Sequence, residues 1–192
     1  MHPWHDVSPG PHPEEVFFAV IEIPSGAQTK YELDKETGLL RLDRVLSSSV
    51  HYVANYGLIP RTCGNDGEPL NVFVLSQEAF VPKSLVRARP VGLVATVDDR
   101  GKDDKIISVA ADDPGYDQVH TVTDLPPHRF REMEQFLKGY KALQDTVLEV
   151  GAPQGVRKAR MAIRDALRLY DVQLRPGLQG RHKGWLLNHK PK

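Results

Sequence analysis

Three features of this 192-residue chain predict an α+β fold, a barrel or curled sheet with helices packed on it. Short β-branched and alternating runs fill roughly the first 110 positions, as strands require. Clusters of Asp, Gly and Pro separate these runs as turns. From Asp124 onward the apolar residues fall three and four apart, the spacing of helices. Strands first and helices after them is an α+β order.

Residues 1–15 hold four prolines and three histidines and read as an irregular, mobile arm. With no Cys or carboxylate framework to fix them, His2, His5 and His12 are incidental, not a metal set. Residues 16–23 are apolar and β-branched and stop at Pro24, a strand. Residues 30–33 alternate, 34–38 (D-K-E-T-G) form a turn finished by Gly38, and 39–45 alternate again, a hairpin. Residues 70–75 and 85–97 are further strands, the second bent or bulged at Pro90 and Gly92. A polar turn over 98–104 leads to a strand at 106–110.

Asp124-Leu125-Pro126-Pro127 then reads as a helix start, with Asp as cap and Pro in the first turn. Phe130, Met133, Leu137 and Tyr140 share one face of that helix. A second helix begins near Pro153, with Val156, Ala159, Ile163, Ala166, Leu167 and Tyr170 on its face. From Arg175 the chain is basic and aperiodic. The domain therefore spans 16–174, between an arm (1–15) and an irregular basic tail (175–192).

Lys plus Arg equals Asp plus Glu, 25 each, so the net charge is zero, which argues against a general polyanion or nucleic-acid binder. The single Cys63 forms no internal disulfide and fits a reducing compartment, as a spectator thiol. The N-terminus has no apolar leader core, and no apolar run approaches ~18 residues, so the expectation is a cytoplasmic protein with no membrane span.

Charge collects beside the turns. Glu22 sits late in the first strand, and Lys30 and Glu32 alternate onto one face of the next. Arg44 follows near the end of its hairpin strand. Asp66, Glu68 and Asn71 straddle a turn and a strand start. Asp98, Asp103 and Lys105 flank another turn, and Tyr140-Lys141 ends the first helix. Each alone has a bland reading, because surface strands carry acids and bases. Together, carboxylates without Cys or regular His partners favour a hard ion such as Mg²⁺ taken through oxygen. Lys and Arg beside such ions suit a phosphate substrate. Ions and cations together suit phosphoryl transfer to water, with one further carboxylate to accept the water's proton.

The ordered pieces I-E-I-P (21–24), K-Y-E-L-D (30–34), D-R (43–44), Y-x-x-N-Y-G-x-I-P (52–60), D-G-E-P-L-N (66–71) and D-D-x-x-x-D-D-K (98–105) resemble soluble family I inorganic pyrophosphatases. R-P-V-G (89–92), D-L-P (124–126) and Y-K (140–141) extend the resemblance from about residue 16 to 145. It implies an OB-like closed β-barrel of about five strands with two packed helices, and hydrolysis of inorganic pyrophosphate with Mg²⁺, or Mn²⁺ or Co²⁺. It also implies a homo-oligomer. By resemblance, Asp66, Asn71 and Asp103 match ligands of the first metal, with position 71 bridging to a second. Asp98 matches a ligand of further metals, and Glu22 and Glu32 line the same cavity. Glu68 matches the carboxylate that accepts the water's proton. Lys30, Arg44, Lys105, Tyr140 and Lys141 match phosphate-holding groups, and Tyr56 helps position the electrophilic phosphate. The bland alternative for Tyr52 and Tyr56 is a core aromatic with its hydroxyl at the edge.

The family's signature is commonly D-x-D-P-x-D, and this chain departs from it at two acids. Glu68 replaces Asp, keeping the charge but adding a methylene, and a displacement of ~1 Å at a reacting group can cost ~100-fold in rate. Asn71 replaces the bridging Asp; an amide oxygen ligates a cation but brings no charge. Three readings stay open: a pyrophosphatase slowed or shifted in metal preference, a hydrolase retuned for another phosphoanhydride, and a degenerate phosphate-binding or regulatory protein. The intact set around these two positions favours the first.

Overall fold

The computed structural model describes residues 1–46, 49–98, 101–140 and 148–178, with Asp98 described through its backbone alone. Nine strands and two α-helices follow one another: β1 (Phe17–Ile23), β2 (Thr29–Leu33), β3 (Leu40–Val45), β4 (Asn55–Leu58), β5 (Asn71–Leu75), β6 (Leu85–Asp98), β7 (Gly101–Ala110), α1 (Pro127–Gly139), β8 (Glu149–Val150), β9 (Gln154–Gly155) and α2 (Val156–Gln173). Five of the strands pair in the order β1-β4-β5-β7-β6, and β6 returns to pair with β1, closing an OB-like barrel. Only β5 and β7 run parallel within that ring; the other pairs are antiparallel. Closure removes the free sheet edges that a short five-stranded sheet would otherwise expose. The expected α+β barrel with two helices is therefore borne out.

Strands β1 and β5 and the second half of β7 are buried on both faces, so their sequences read as apolar runs rather than alternations. In β5, Phe73 and Leu75 join one apolar layer with Val94, Ile107, Met133, Phe136 and Leu137, the last three from α1. Val72 and Val74 join the opposite layer with Ile21, Leu93 and Ile106, which the α2 residues Ala159, Ile163 and Ala166 cover. The face predicted for each helix from its spacing is the face that packs. β6 shifts register between Pro90 and Gly92, where the bulge was expected, since proline brings no N–H to the ladder.

Five expectations change. β4 was not anticipated: at four residues, with an Asn and a Gly, it carries little strand signal. Its glycine is required, because a Cβ on Gly57 would stand 2.0 Å from the Val20 carbonyl oxygen. Residues 101–104 are not a turn but the start of β7, with Thr96 opposite Asp103. Polar residues fit there because the β6–β7 ribbon projects from the barrel, and Gly101 and Lys102 are exposed. Asp124 does not cap α1; its carboxylate accepts the His120 and Thr121 amides in the turn before, and Pro126 precedes the helix. The arm is irregular, as expected, but not mobile: Trp4 is buried with Val20, Leu58, Cys63 and Tyr170. Residues 175–178 form a short helical turn, and the rest of the tail call lies outside the described residues.

Candidate active site

One end of the barrel opens into a cavity of about 600 Å³. Its floor comes from barrel strands: Glu22 from β1, Tyr56 from β4, Asn71 and Phe73 from β5, and Asp103 and Lys105 from β7. Its sides come from the β2–β3 hairpin (Lys30, Glu32, Lys35), the loop before β5 (Asp66, Glu68) and the end of α1 (Phe136, Tyr140). Residues more than a hundred positions apart thus share one space because the ring closes.

Lys105 is the central cation of the floor. Parallel register sets it opposite Asn71, and its ammonium stands 2.6 Å from Asp103 Oδ2 and 5.8 Å from the centroid of the Tyr56 ring. Burial alone would lower this ammonium's pKa. The Asp103 carboxylate outweighs burial and, with the neighbouring tyrosines, holds it above the ordinary lysine value. Burial likewise pushes the Tyr56 and Tyr52 hydroxyls up, with nearby acids and phenols adding to it, so both remain protonated donors. Tyr52 lies between Tyr56 (5.5 Å between rings) and Phe136 (4.6 Å), and it lines the cavity as well, so both readings of it hold. Phe136 stacks at 5.3 Å on Tyr140, which ties that residue to α1.

Glu22 is buried and accepts the Leu33 amide at 2.8 Å. Its pKa is pushed up to about 7, first by burial and further by the facing carboxylates of Glu32 and Glu68, against the pull of Lys30 and the Leu33 bond. Lys30 answers two acids, Glu32 at 2.5 Å and Asp43 at 3.1 Å. The acidic loop is a tight turn: Gly67 takes φ +79°, Gly64 N donates to Glu68 O, and Asp66 Oδ1 accepts the Glu68 amide at 3.0 Å. The Glu68 carboxylate reaches across to the Lys35 ammonium in an ion pair. Cys63, at the base of this loop, is buried, and burial with the Asp66 and Glu68 charges raises its thiol pKa, in keeping with an inert role.

Glu22, Lys30, Glu32, Tyr56, Asp66, Glu68, Asn71, Asp103, Lys105 and Tyr140 all line this cavity. Arg44 stands one strand behind, opposite Lys30 in the hairpin, with its guanidinium 3.6 Å from Asp43 and its Nε buried with no hydrogen-bond partner among the described residues. Lys141 and the side chain of Asp98 lie outside the described residues. Sequence reasoning missed Lys35 and Trp4, which also line the cavity. Lys35 follows the K-Y-E-L run inside a turn, and the hairpin that carries Lys30 and Glu32 was the signal that could have found it.

Among the described residues no three His, Cys, Asp or Glu side chains stand close enough together to hold a metal ion. Two of the expected ligands, Asp66 and Asp103, line the cavity, and the third is the amide of Asn71. Among the described residues neither His nor Cys lines the cavity, and burial first, with the facing acids Glu32 and Glu68 adding to it, raises Glu22. An oxygen-only, mutually repelling donor set beside lysines fits a hard divalent cation rather than zinc.

Residues 19–171 match the family model described as inorganic pyrophosphatase. A soluble inorganic pyrophosphatase of Zea mays is 47% identical over 169 residues, covering 88% of this chain and 79% of the relative. Soluble inorganic pyrophosphatase 2 of Chlamydomonas reinhardtii is 43% identical over 175 residues, 91% of each chain. The crystal structure of inorganic pyrophosphatase from Thermus thermophilus is similar with a TM-score of 0.85 and 34% identity, covering 88% of this chain and 99% of that one.

Proposed function

This chain belongs to the inorganic pyrophosphatase family, and from that premise we infer that it hydrolyses inorganic pyrophosphate to two phosphates with Glu68 as the base. The observation that carries the reading is one cavity in which Asp66, Glu68 and Asn71 face Lys30, Lys105 and Tyr140. Asp66, Asn71 and Asp103 would hold Mg²⁺, or Mn²⁺ or Co²⁺, with Asp98, Glu22 and Glu32 bordering further ions. When bound, such ions offset charge on the phosphate oxygens and make the attacking water more acidic.

The chain's own groups do the rest. Lys30, Lys105, Tyr140 and, by the resemblance, Arg44 and Lys141 hold the phosphate oxygens, and Tyr56 donates toward the phosphate that is attacked. The water oxygen forms a new bond to that phosphorus as the bridging P–O bond breaks in line. Glu68 accepts the water's proton, and the bridging oxygen leaves with the second phosphate. Lys105 and Lys30 would offset the charge that grows on the two phosphates, and burial of Lys105 keeps it effective by limiting solvent screening.

Phosphate release from pyrophosphate with Mg²⁺, Mn²⁺ or Co²⁺ tests this reading. Release above buffer supports it, and none with any of the three ions would sink it. A panel of tri- and polyphosphates and nucleotides separates a pyrophosphatase from a site retuned by Glu68 and Asn71. Preference for a longer phosphoanhydride would favour retuning. A homo-oligomer in the cytoplasm completes the proposal, with sedimentation of the purified chain as its check. Among the described residues no helix is long and apolar enough to cross a membrane.

A further inference from the structure

The first six residues pack where three parts of the site meet. Trp4 is 3% exposed, its indole borders the catalytic cavity, and its Nε1 donates to the Thr62 carbonyl at 2.7 Å. Thr62 closes the base of the acidic loop, since its hydroxyl donates to Ile59 O at 2.6 Å and accepts the Leu70 amide at 2.9 Å. Arg61, just before it, holds a left-handed backbone at φ +53°. Such a conformation persists in a non-glycine residue only where its surroundings impose it. The arm supplies those surroundings: Arg61 N donates to Trp4 O at 2.8 Å, and its guanidinium donates to the carbonyls of His5 and Asp6 at 3.2 and 3.1 Å.

The same six residues hold the opposite side of the cavity. His2 Nε2 donates to the Lys35 carbonyl at 3.1 Å, and His2 and Pro3 press on Gly38, where a Cβ would meet Pro3 Cδ at 2.9 Å. Lys83 donates to Gly38 O at 3.2 Å, fixing the far end of the turn. The arm is anchored in turn by a ring stack, His2 on His5 at 4.6 Å and His5 on Trp4 at 4.5 Å, with His5 Nδ1 2.9 Å from the Tyr170 hydroxyl of α2. Two segments therefore receive backbone support from one arm: the loop that carries Glu68 and the turn that carries Lys35. Those two side chains are joined in an ion pair.

We propose that the N-terminal arm is a positioning element of the active site, in which Trp4 and His2 set the span between the Glu68 loop and the Lys35 turn and Lys35 aims Glu68. The proposal rests on Glu68 being the base. Glu68 is half exposed and carries one methylene more than the family's Asp, so its aim needs an external hold. Lys35 supplies that hold, and the arm fixes where Lys35 starts from.

Full-length Lys35→Ala, Trp4→Phe, the double variant and Glu68→Gln are compared for kcat and KM with pyrophosphate, with thermal midpoints alongside. Lys35→Ala lowers kcat by about 10-fold while KM stays within about 3-fold, because the loss falls on the transition state. Trp4→Phe keeps the ring, loses the bond to Thr62 and lowers kcat by roughly 3-fold or more. The double variant is no slower than Lys35→Ala, since both act on one coordinate. Multiplying effects, or a Trp4→Phe variant with a lowered midpoint and an unchanged kcat, overturn the proposal. Retention of rate by Glu68→Gln overturns the base assignment and the proposal with it. Loss by Glu68→Gln with Trp4→Phe and Lys35→Ala unaffected overturns the proposal alone.

Discussion

The floor and the rim of the cavity are built by different means. On the floor, Glu22, Tyr56 and Lys105 are each less than 10% exposed; ladder pairing within the closed ring sets the Cα positions of Tyr56 and Lys105, and Glu22 stands at the register shift of β1 between the paired Ile21 and Ile23. On the rim, Lys35 and Glu68 are half exposed and sit on a turn and a loop, held by each other and by the arm. Of the two departures from the family signature, Glu68 stands on the rim loop, while Asn71 opens β5 on the floor, paired with Leu58 and Lys105. Change is therefore found on both, and on the ladder it removes a charge while keeping the size of the side chain. Buried charge tolerates little, because an unmatched ion in a low dielectric is costly.

The largest effect should come from breaking the floor. Lys105→Met removes the cation proposed to hold phosphate and the ammonium that pairs with Asp103, so kcat should fall by about 10²–10³ in a phosphate-release assay. A drop under tenfold would mean that the floor does not carry the charge assigned to it. Next comes the ring itself. Gly57→Ala forces a methyl to within 2.0 Å of Val20 O, and β4 must leave β1, which should lower stability by about 3 kcal/mol in denaturant unfolding.

Sharpening the comparison requires a gain as well as losses. Asn71→Asp puts a charge into the cavity at nearly unchanged side-chain size, so the metal concentration for half-maximal rate should fall by about tenfold, or 1.4 kcal/mol. No change would mean that position 71 does not contact the metal. If pyrophosphate activity rises while activity on another phosphoanhydride falls, the native Asn serves that other substrate.

The smallest effect is a control outside the cavity. Asp113 accepts Gln77 N, the Ser76 hydroxyl, the Gln77 amide and Gly115 N, and the Gln77 backbone bond foremost holds its carboxyl down to about 2. Because the folded value is depressed, the contribution is fully present above the unfolded ~3.9 and is lost as pH falls toward 2. Asp113→Asn should therefore lose about 1 kcal/mol at neutral pH with unchanged turnover. Stability curves of the two proteins should converge between pH ~4 and ~2.

Most of the floor was legible in the sequence. The apolar runs of β1, β5 and β7 announce strands, and the acids and lysines punctuating them stand at the ends that meet. The rim was less legible, for reasons that differ by residue. Lys35 sits in a polar turn, where Lys is ordinary, and only closure of the hairpin over the loop brings it to Glu68. Trp4 lies in a Pro-rich stretch with no periodicity, and its burial depends on α2, some 166 positions away at Tyr170. β4 is too short, and too dependent on Gly57, to stand out by propensity. Asp124 has the composition of a helix cap, but the two prolines after it extend the chain before the helix begins, and its carboxylate bonds locally instead. Local signals thus give the strands and faces, while residues whose partners are distant wait for the fold.

The central claim is that Glu68, on the altered loop, is the working base of a pyrophosphatase. The direct measurement is kcat for phosphate release from pyrophosphate with saturating Mg²⁺, comparing the native protein with Glu68→Gln at matched folding. A native rate well above buffer, with a loss of about 10²–10⁴ in the variant, is the predicted result. A native protein with measurable turnover and a Glu68→Gln variant within threefold of it would contradict the claim.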